Sequence, residues 1–185
     1  MMKAIVVYAS QTGFTKRYAE WIAEDLGCEA VPVERAGAMD AGAYDVVVFG
    51  GWFHATSLKG GKWLKRVRAA HPGAKFVVFA VGATPPEWTD IVEEGMARTF
   101  PLPEFDGVER FYLHGGFAYE RLSAPNKLAM KVFFKMQEKQ AEVDARSAEM
   151  LAGMREGFDA TDCAAIGPIV ERARALAASA QRRAE

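Results

Sequence analysis

Ser10, Thr12 and Thr15 put three hydroxyls within six residues, with Gly13 among them. A serine or threonine hydroxyl can donate to a phosphate oxygen. A glycine lets the backbone turn tightly and approach a ligand closely. The apolar run Ala4-Ile5-Val6-Val7 stands directly before these residues, and a helix-like segment opens at about Thr15. The hydroxyls therefore fall where a buried strand hands over to a helix. The first amides of a helix have no intrahelical partners, and its dipole favours an anion at that end. One hydroxyl would be accounted for as a helix cap; three favour capture of a phosphate. No Lys or Arg lies between Tyr8 and Thr15, and the stretch is not the glycine-lysine loop of nucleoside-triphosphate enzymes. A monophosphate held by N–H and O–H groups fits better than ATP with its metal.

Three further segments share features with this turn. Gly50-Gly51-Trp52-Phe53-His54-Ala55-Thr56-Ser57 follows a third apolar run and carries two aromatics where a polar loop is expected. Gly50 and Gly51 would open the backbone, and Trp52 would stack on a flat aromatic ligand. Phe53 has two readings, a ligand contact or a ring folded back on the core. His54 could touch the ligand or the phosphate turn, or act structurally. Gly82-Ala83-Thr84-Pro85-Pro86 follows a fourth run and could offer backbone groups to the edge of a heterocycle, with the prolines as a stiff wall. His114-Gly115-Gly116-Phe117-Ala118-Tyr119-Glu120-Arg121 repeats the pattern of glycines before aromatics. There Phe117 and Tyr119 either cover a ligand or pack under the following helix.

The elements that must position these segments alternate in type. Strand-like runs cover Lys3–Tyr8, Glu29–Glu34, Tyr44–Gly51, Lys75–Val81 and Val108–Gly115. Helical patterns cover Phe14–Leu26, stopped by Gly27, then Leu58–Ala70, Glu87–Thr99, a long stretch Pro125–Met154, and Ala164–Arg182. Between the second strand and the third, Ala36–Ala43 reads as a loop. This alternation predicts an α/β fold, a doubly wound parallel sheet of five strands with helices on both faces. Ligands of such sheets bind beyond the carboxyl ends of the strands, where all four segments lie.

With 185 residues, half of them apolar and a quarter charged, the chain is expected to form one domain over 1–185. A net charge of −1 gives no basic field for nucleic acid. Met1-Met2-Lys3 runs straight into the first strand, so no signal peptide is expected. Cys28 and Cys163 are isolated and expected to stay reduced in the cytoplasm.

Ser10-Gln11-Thr12-Gly13-Phe14-Thr15 matches the T/S-x-T-G-x-T phosphate loop of the flavodoxin-like family in full. With the Trp52 and Gly82 segments in that order, the chain resembles this family, which binds FMN noncovalently on a five-stranded sheet of order 2-1-3-4-5. The resemblance implies that Ser10, Thr12 and Thr15, with the backbone of Gln11, Gly13 and Phe14, hold the FMN phosphate. It implies flavin contacts from Gly51, Trp52, Phe53 and His54, from Gly82, Ala83 and Thr84, and from Gly116. A narrower resemblance rests on Gly115–Tyr119, Lys127–Met136 and Thr161-Asp162 before a final helix. These look like the branch containing the quinone-dependent protoporphyrinogen dehydrogenases, which carry a helical insert after the fifth strand, here about 120–160.

Simple flavodoxins are usually strongly acidic, whereas this chain is near neutral and has a basic helix with Lys59, Lys62, Lys65, Arg66 and Arg68. Lys127, Lys131, Lys135 and Lys139 recur at four-residue spacing along one helical stripe, beside Leu128, Val132, Phe133 and Met136. A surface helix with solvated lysines has this pattern. So does a helix that meets anionic lipid at the inner face of the membrane, or one that pairs with a partner or a second copy of the chain. The leading expectation is an FMN-dependent oxidoreductase acting on a quinone or other small-molecule substrate, of the protoporphyrinogen dehydrogenase type. The alternatives are a flavodoxin-type electron carrier that serves a redox partner and a flavin-free binding module. No acid or base is assigned.

Overall fold

The computed structural model describes residues 2–54, 57–101 and 104–184, with the side chains of His54, Ser57, Lys139, Gln181, Arg183 and Ala184 outside that description. The five strands are β1 (Ala4–Tyr8), β2 (Glu29–Pro32), β3 (Val46–His54), β4 (Phe76–Gly82) and β5 (Glu109–His114). All run parallel, in the order β2-β1-β3-β4-β5. The longer helices are α1 (Phe14–Leu26), α2 (Gly61–Ala70), α3 (Thr89–Thr99), α4 (Ala124–Ala141), α5 (Ala145–Glu156) and α6 (Gly167–Ala184).

Both faces of the central strands are covered, which explains their unbroken apolar runs. Val6, Val48, Val77 and Phe79 face α1 and α6, where they meet Tyr18, Ile22, Ile169 and Ala173. Their neighbours Val7, Val47, Phe49 and Val78 face the other way, onto Trp63, Leu64 and Val67 of α2. Each large apolar side chain removed from water in these layers contributes about 1.5–3 kcal/mol before entropy is counted.

The third strand departs from expectation. The strand expected over Tyr44–Gly51 runs on past Gly51: Trp52, Phe53 and His54 continue β3 and do not form a loop. Trp52 pairs with Val81, and Phe53 and His54 pair back with Leu58 and Ser57. The glycines serve packing. A Cβ on Gly50 would stand 2.0 Å from the Phe79 ring, and one on Gly51 would stand 2.5 Å from the Lys59 carbonyl oxygen. Other boundaries also shift. β2 ends at Pro32 and gives way to a helical turn, Val33–Ala36; a 3₁₀ turn, Ala41–Ala43, follows in the expected loop. α2 starts at Gly61, after a turn that holds Lys59.

The long helical stretch is two helices. After α4, the Asp144 carboxylate accepts from the Ser147 amide at 3.0 Å and caps α5, so the chain reverses. The insert leaves at Gly116–Phe117 and returns at Phe158–Asp159, and these two segments pair antiparallel to close its base. Arg17 of α1 braces that base, donating to Asp159 at 2.6 Å and Thr161 at 2.7 Å. Burial alone would push the Asp159 pKa up, but the hydrogen bonds from Thr161 and Arg17 outweigh it and hold the pKa below its ordinary value. Among the described residues, no helix is long and apolar enough to cross a membrane.

The Gly50 contact can be tested directly. Gly50→Ala should lower unfolding stability by about 1–3 kcal/mol through overpacking against Phe79, measured by urea titration. Gly73→Ala, where an added Cβ meets nothing within 4 Å, is the control and should leave the midpoint in place.

Candidate functional site

The turn between β1 and α1 is built around Gly13, whose φ of 100° lies in the left-handed region. A side chain there would be strained, so glycine permits this handover. Gly13 is the cap residue of α1, and no side chain closes the helix end. The Ala9 amide donates to the Gly50 carbonyl at 2.8 Å, fixing the start of the turn to β3. Ser10 is half-buried, and its Oγ is buried without a hydrogen-bond partner in the protein. A buried unpaired hydroxyl costs about 1–3 kcal/mol. Thr15 is 2% exposed. The hydroxyl with no partner thus sits beside a helix end with no cap, and a small anion would satisfy both.

Two residues outside the expected set reach this turn from the insert. Arg121 Nη1 donates to the Thr12 carbonyl at 3.2 Å, and Asn126 Nδ2 donates to Gln11 Oε1 at 2.7 Å. A cation therefore stands beside a loop that contains none of its own. The partners are 109 and 115 positions apart, so nothing local in the sequence signals the contact.

The remaining expected residues divide. Trp52 is half-buried on β3, with the Lys59 ammonium 6.0 Å from its ring centre. Phe53 stacks on Tyr112 at 5.9 Å, the folded-back arrangement. The side chain of His54 is outside the described residues. Gly82 ends β4 beneath the Tyr112 hydroxyl, which donates to the Thr84 carbonyl at 2.7 Å. Burial pushes the Tyr112 hydroxyl well above its ordinary value, so it stays a donor there. The Gly115 amide donates to the Gly82 carbonyl at 2.8 Å and locks the fourth and fifth loops together. Gly116 lies over the Phe14 ring, which is buried in the core, leaving Phe14 only its backbone to offer a ligand at the turn.

Phe117 and Tyr119 pack against Phe134 of α4, with ring centres at 6.2 and 6.4 Å. Together with Phe14, Arg121 and Asp159 they wall a cavity of about 670 Å³ between the insert and the base of α1. Thr161 and Asp162 serve the frame. Thr161 receives Arg17, and Asp162 caps the 3₁₀ turn Cys163–Ile166 through the Ala164 amide. Burial pushes the Cys28 thiol up to about 11, so it carries no thiolate chemistry near neutrality. Among the described residues no cluster of His, Cys, Asp or Glu could hold a metal ion.

Residues 5–144 match the family described as Flavodoxin domain. No curated protein matches the sequence. Several solved structures resemble the chain. One is a flavodoxin from the domain Archaea, with 17% identity, 83% of this chain and 95% of that chain covered, and a TM-score of 0.43. Another is oxidised flavodoxin 2 from Bacillus cereus, with 21% identity, 60% and 84% covered, and a TM-score of 0.39. A third is a flavoprotein in complex with FMN from Lactobacillus acidophilus NCFM, with 13% identity, 62% and 93% covered, and a TM-score of 0.40. The family match spans most of the sheet and the Ser10–Thr15 turn. The chain belongs to the flavodoxin domain family.

Proposed function

We propose that this protein is an FMN-dependent oxidoreductase whose phosphate turn is Ser10–Thr15. The observation that carries the reading is the Ser10 hydroxyl, buried without a partner beside the uncapped start of α1. Ser10, Thr12 and Thr15 would donate to the phosphate, with the backbone of Gln11, Gly13 and Phe14 beside them. Trp52 would offer its face to the flavin ring, and Gly82, Ala83 and Thr84 would line the ring's polar edge. Phe53, placed on Tyr112, would support that wall from behind. Gly51, His54 and Gly116 complete the candidate set. The bound flavin would supply transfer of electrons or hydride.

The resemblance of the insert to that of quinone-dependent protoporphyrinogen dehydrogenases supports a reaction in which a reduced organic donor loses two electrons and two protons. A quinone-type acceptor takes both and leaves as hydroquinone. The outer face of α4 supports an apolar acceptor held in a lipid surface. Leu128, Val132 and Met136, at four-residue spacing, are 66%, 56% and 70% exposed, and the exposed Lys131 and Lys135 run beside them. Phe134 points the opposite way, into the insert's own packing. An apolar stripe flanked by ammonium groups suits a surface of anionic phospholipid.

The absorption spectrum of the purified protein and its titration with FMN test the cofactor. A colourless protein that leaves added FMN fluorescence unquenched would sink the proposal and favour a flavin-free module. Anaerobic reduction followed by reoxidation with a quinone tests the reaction. Reoxidation only by a protein carrier would assign the role of an electron shuttle. Ser10→Ala should act in two directions. It should weaken FMN binding about tenfold or more, the loss of a hydrogen bond to a charged group. It should leave the ligand-free protein as stable or up to about 1 kcal/mol more stable, because the unpaired hydroxyl is gone; calorimetry with and without FMN reads both.

Replacing Leu128, Val132 and Met136 by Ser should abolish co-sedimentation with vesicles that contain anionic phospholipid, at unchanged FMN content. Failure of the unaltered protein to sediment with such vesicles, or a dimer in gel filtration that the triple variant dissolves, would overturn the lipid contact.

A further inference from the structure

We infer that Arg121, carried by the insert, is a phosphate ligand of the cofactor site and sets its preference for a phosphorylated flavin over an unphosphorylated one. The inference rests on the reading of Ser10–Thr15 as the phosphate turn. A flavin phosphate brings about −1.5 to −2 charges near neutrality, and the turn itself contains no cationic side chain. Hydroxyls and amides can satisfy its oxygens, but they leave the charge unneutralised.

Arg121 is placed to supply that charge. It ends the 3₁₀ turn Tyr119–Arg121, which the neighbouring groups stiffen. The Lys127 ammonium lies 5.5 Å from the Tyr119 ring centre and pairs with Glu120 at 3.0 Å. One Nη1 hydrogen bond to the Thr12 carbonyl aims the guanidinium at the turn, and the same nitrogen lies 3.8 Å from where a Gly13 side chain would begin. A guanidinium has five donors in a fixed fork, so one bond to Thr12 leaves the rest available to phosphate oxygens. Glu120 is engaged by Lys127, and among the described residues no carboxylate pairs with Arg121. The side chain is exposed, so its contribution depends on ionic strength.

Asn126 offers the internal control. Its bond to Gln11 holds the same segment on the same turn and carries no charge. If the insert acted as a mechanical brace alone, Arg121 and Asn126 would be equivalent.

The test is a fluorescence titration of the flavin-free protein with FMN and, separately, with riboflavin, over a range of potassium chloride concentrations. R121Q should weaken FMN binding tenfold to a hundredfold, leave riboflavin binding within twofold, and flatten the salt dependence of FMN binding. R121K should restore part of the affinity and the salt dependence. N126A should shift both flavins by the same small factor. Equal losses for FMN and riboflavin in R121Q would make Arg121 a brace and overturn the inference, as would an unchanged FMN affinity. The phosphate reading fails separately, and takes this inference with it, if the unaltered protein binds FMN no more tightly than riboflavin. Thermal unfolding of each ligand-free variant checks that it is folded.

Discussion

The turn out of β1 is the constraint on which the rest of the site depends. β1 is held on both sides by parallel neighbours, and its end can only continue upward into the loop that starts α1. Gly13 makes the handover possible by adopting a left-handed backbone, and that choice leaves the helix without a side-chain cap. The adjacent Ser10 hydroxyl is buried and unpaired. An ordinary helix start would place a capping oxygen here and satisfy the first amides internally. This one has no side-chain cap, an arrangement that costs stability in the free protein and would become favourable with an anion bound. The neighbouring strands then fix where the rest of a ligand must extend, since the Ala9 amide is tied to Gly50 and the Gly82 carbonyl to the Gly115 amide.

The insert belongs to this arrangement and is more than an appendage to it. It departs and returns through one short antiparallel pair, and Arg17 clamps that base to α1. Its first residues lie against the Ser10–Thr15 turn through Arg121 and Asn126. Its inner aromatics pack on one another, while Leu128, Val132 and Met136 face solvent. Apolar groups so exposed gain little from burial within the chain, so folding gives weak reason for their type.

Much of this was legible in the sequence, for identifiable reasons. α1 spans Phe14–Leu26 as its period predicts, because Tyr18, Ile22 and Leu26 all point into one core layer. The parallel sheet follows from apolar runs that need cover on both faces, whereas its strand order, as observed, was implied by the resemblance to the flavodoxin-like family. β3 was harder. Gly50-Gly51 reads as the place where the strand opens into a loop because glycine usually marks one, whereas here its missing side chain makes room for the Phe79 ring and the Lys59 backbone. That information resides in residues 79 and 59. The break between α4 and α5 rests on a single Asp144 cap within an otherwise continuous helical composition. Arg121 escaped for the same kind of reason: its significance lies in a carbonyl 109 positions away.

If Ser10–Thr15 takes an anion as proposed, the contacts at Thr12 and Gln11 link that binding thermodynamically to the seating of the insert. Both draw on the same short stretch of backbone, and its position suits Arg121 and Asn126 on one side and the amides of α1 on the other. Whatever free energy an anion gains from the insert being seated, the insert gains equally in seating from the anion being bound, because coupling between two equilibria is reciprocal. The outer face of α4 belongs to the same packed helix pair, so a surface that favours the seated insert would also favour an anion at the Ser10–Thr15 turn. The link requires no moving lid. It follows from two sets of hydrogen bonds, one charged and one neutral, meeting on a loop that has no cation of its own.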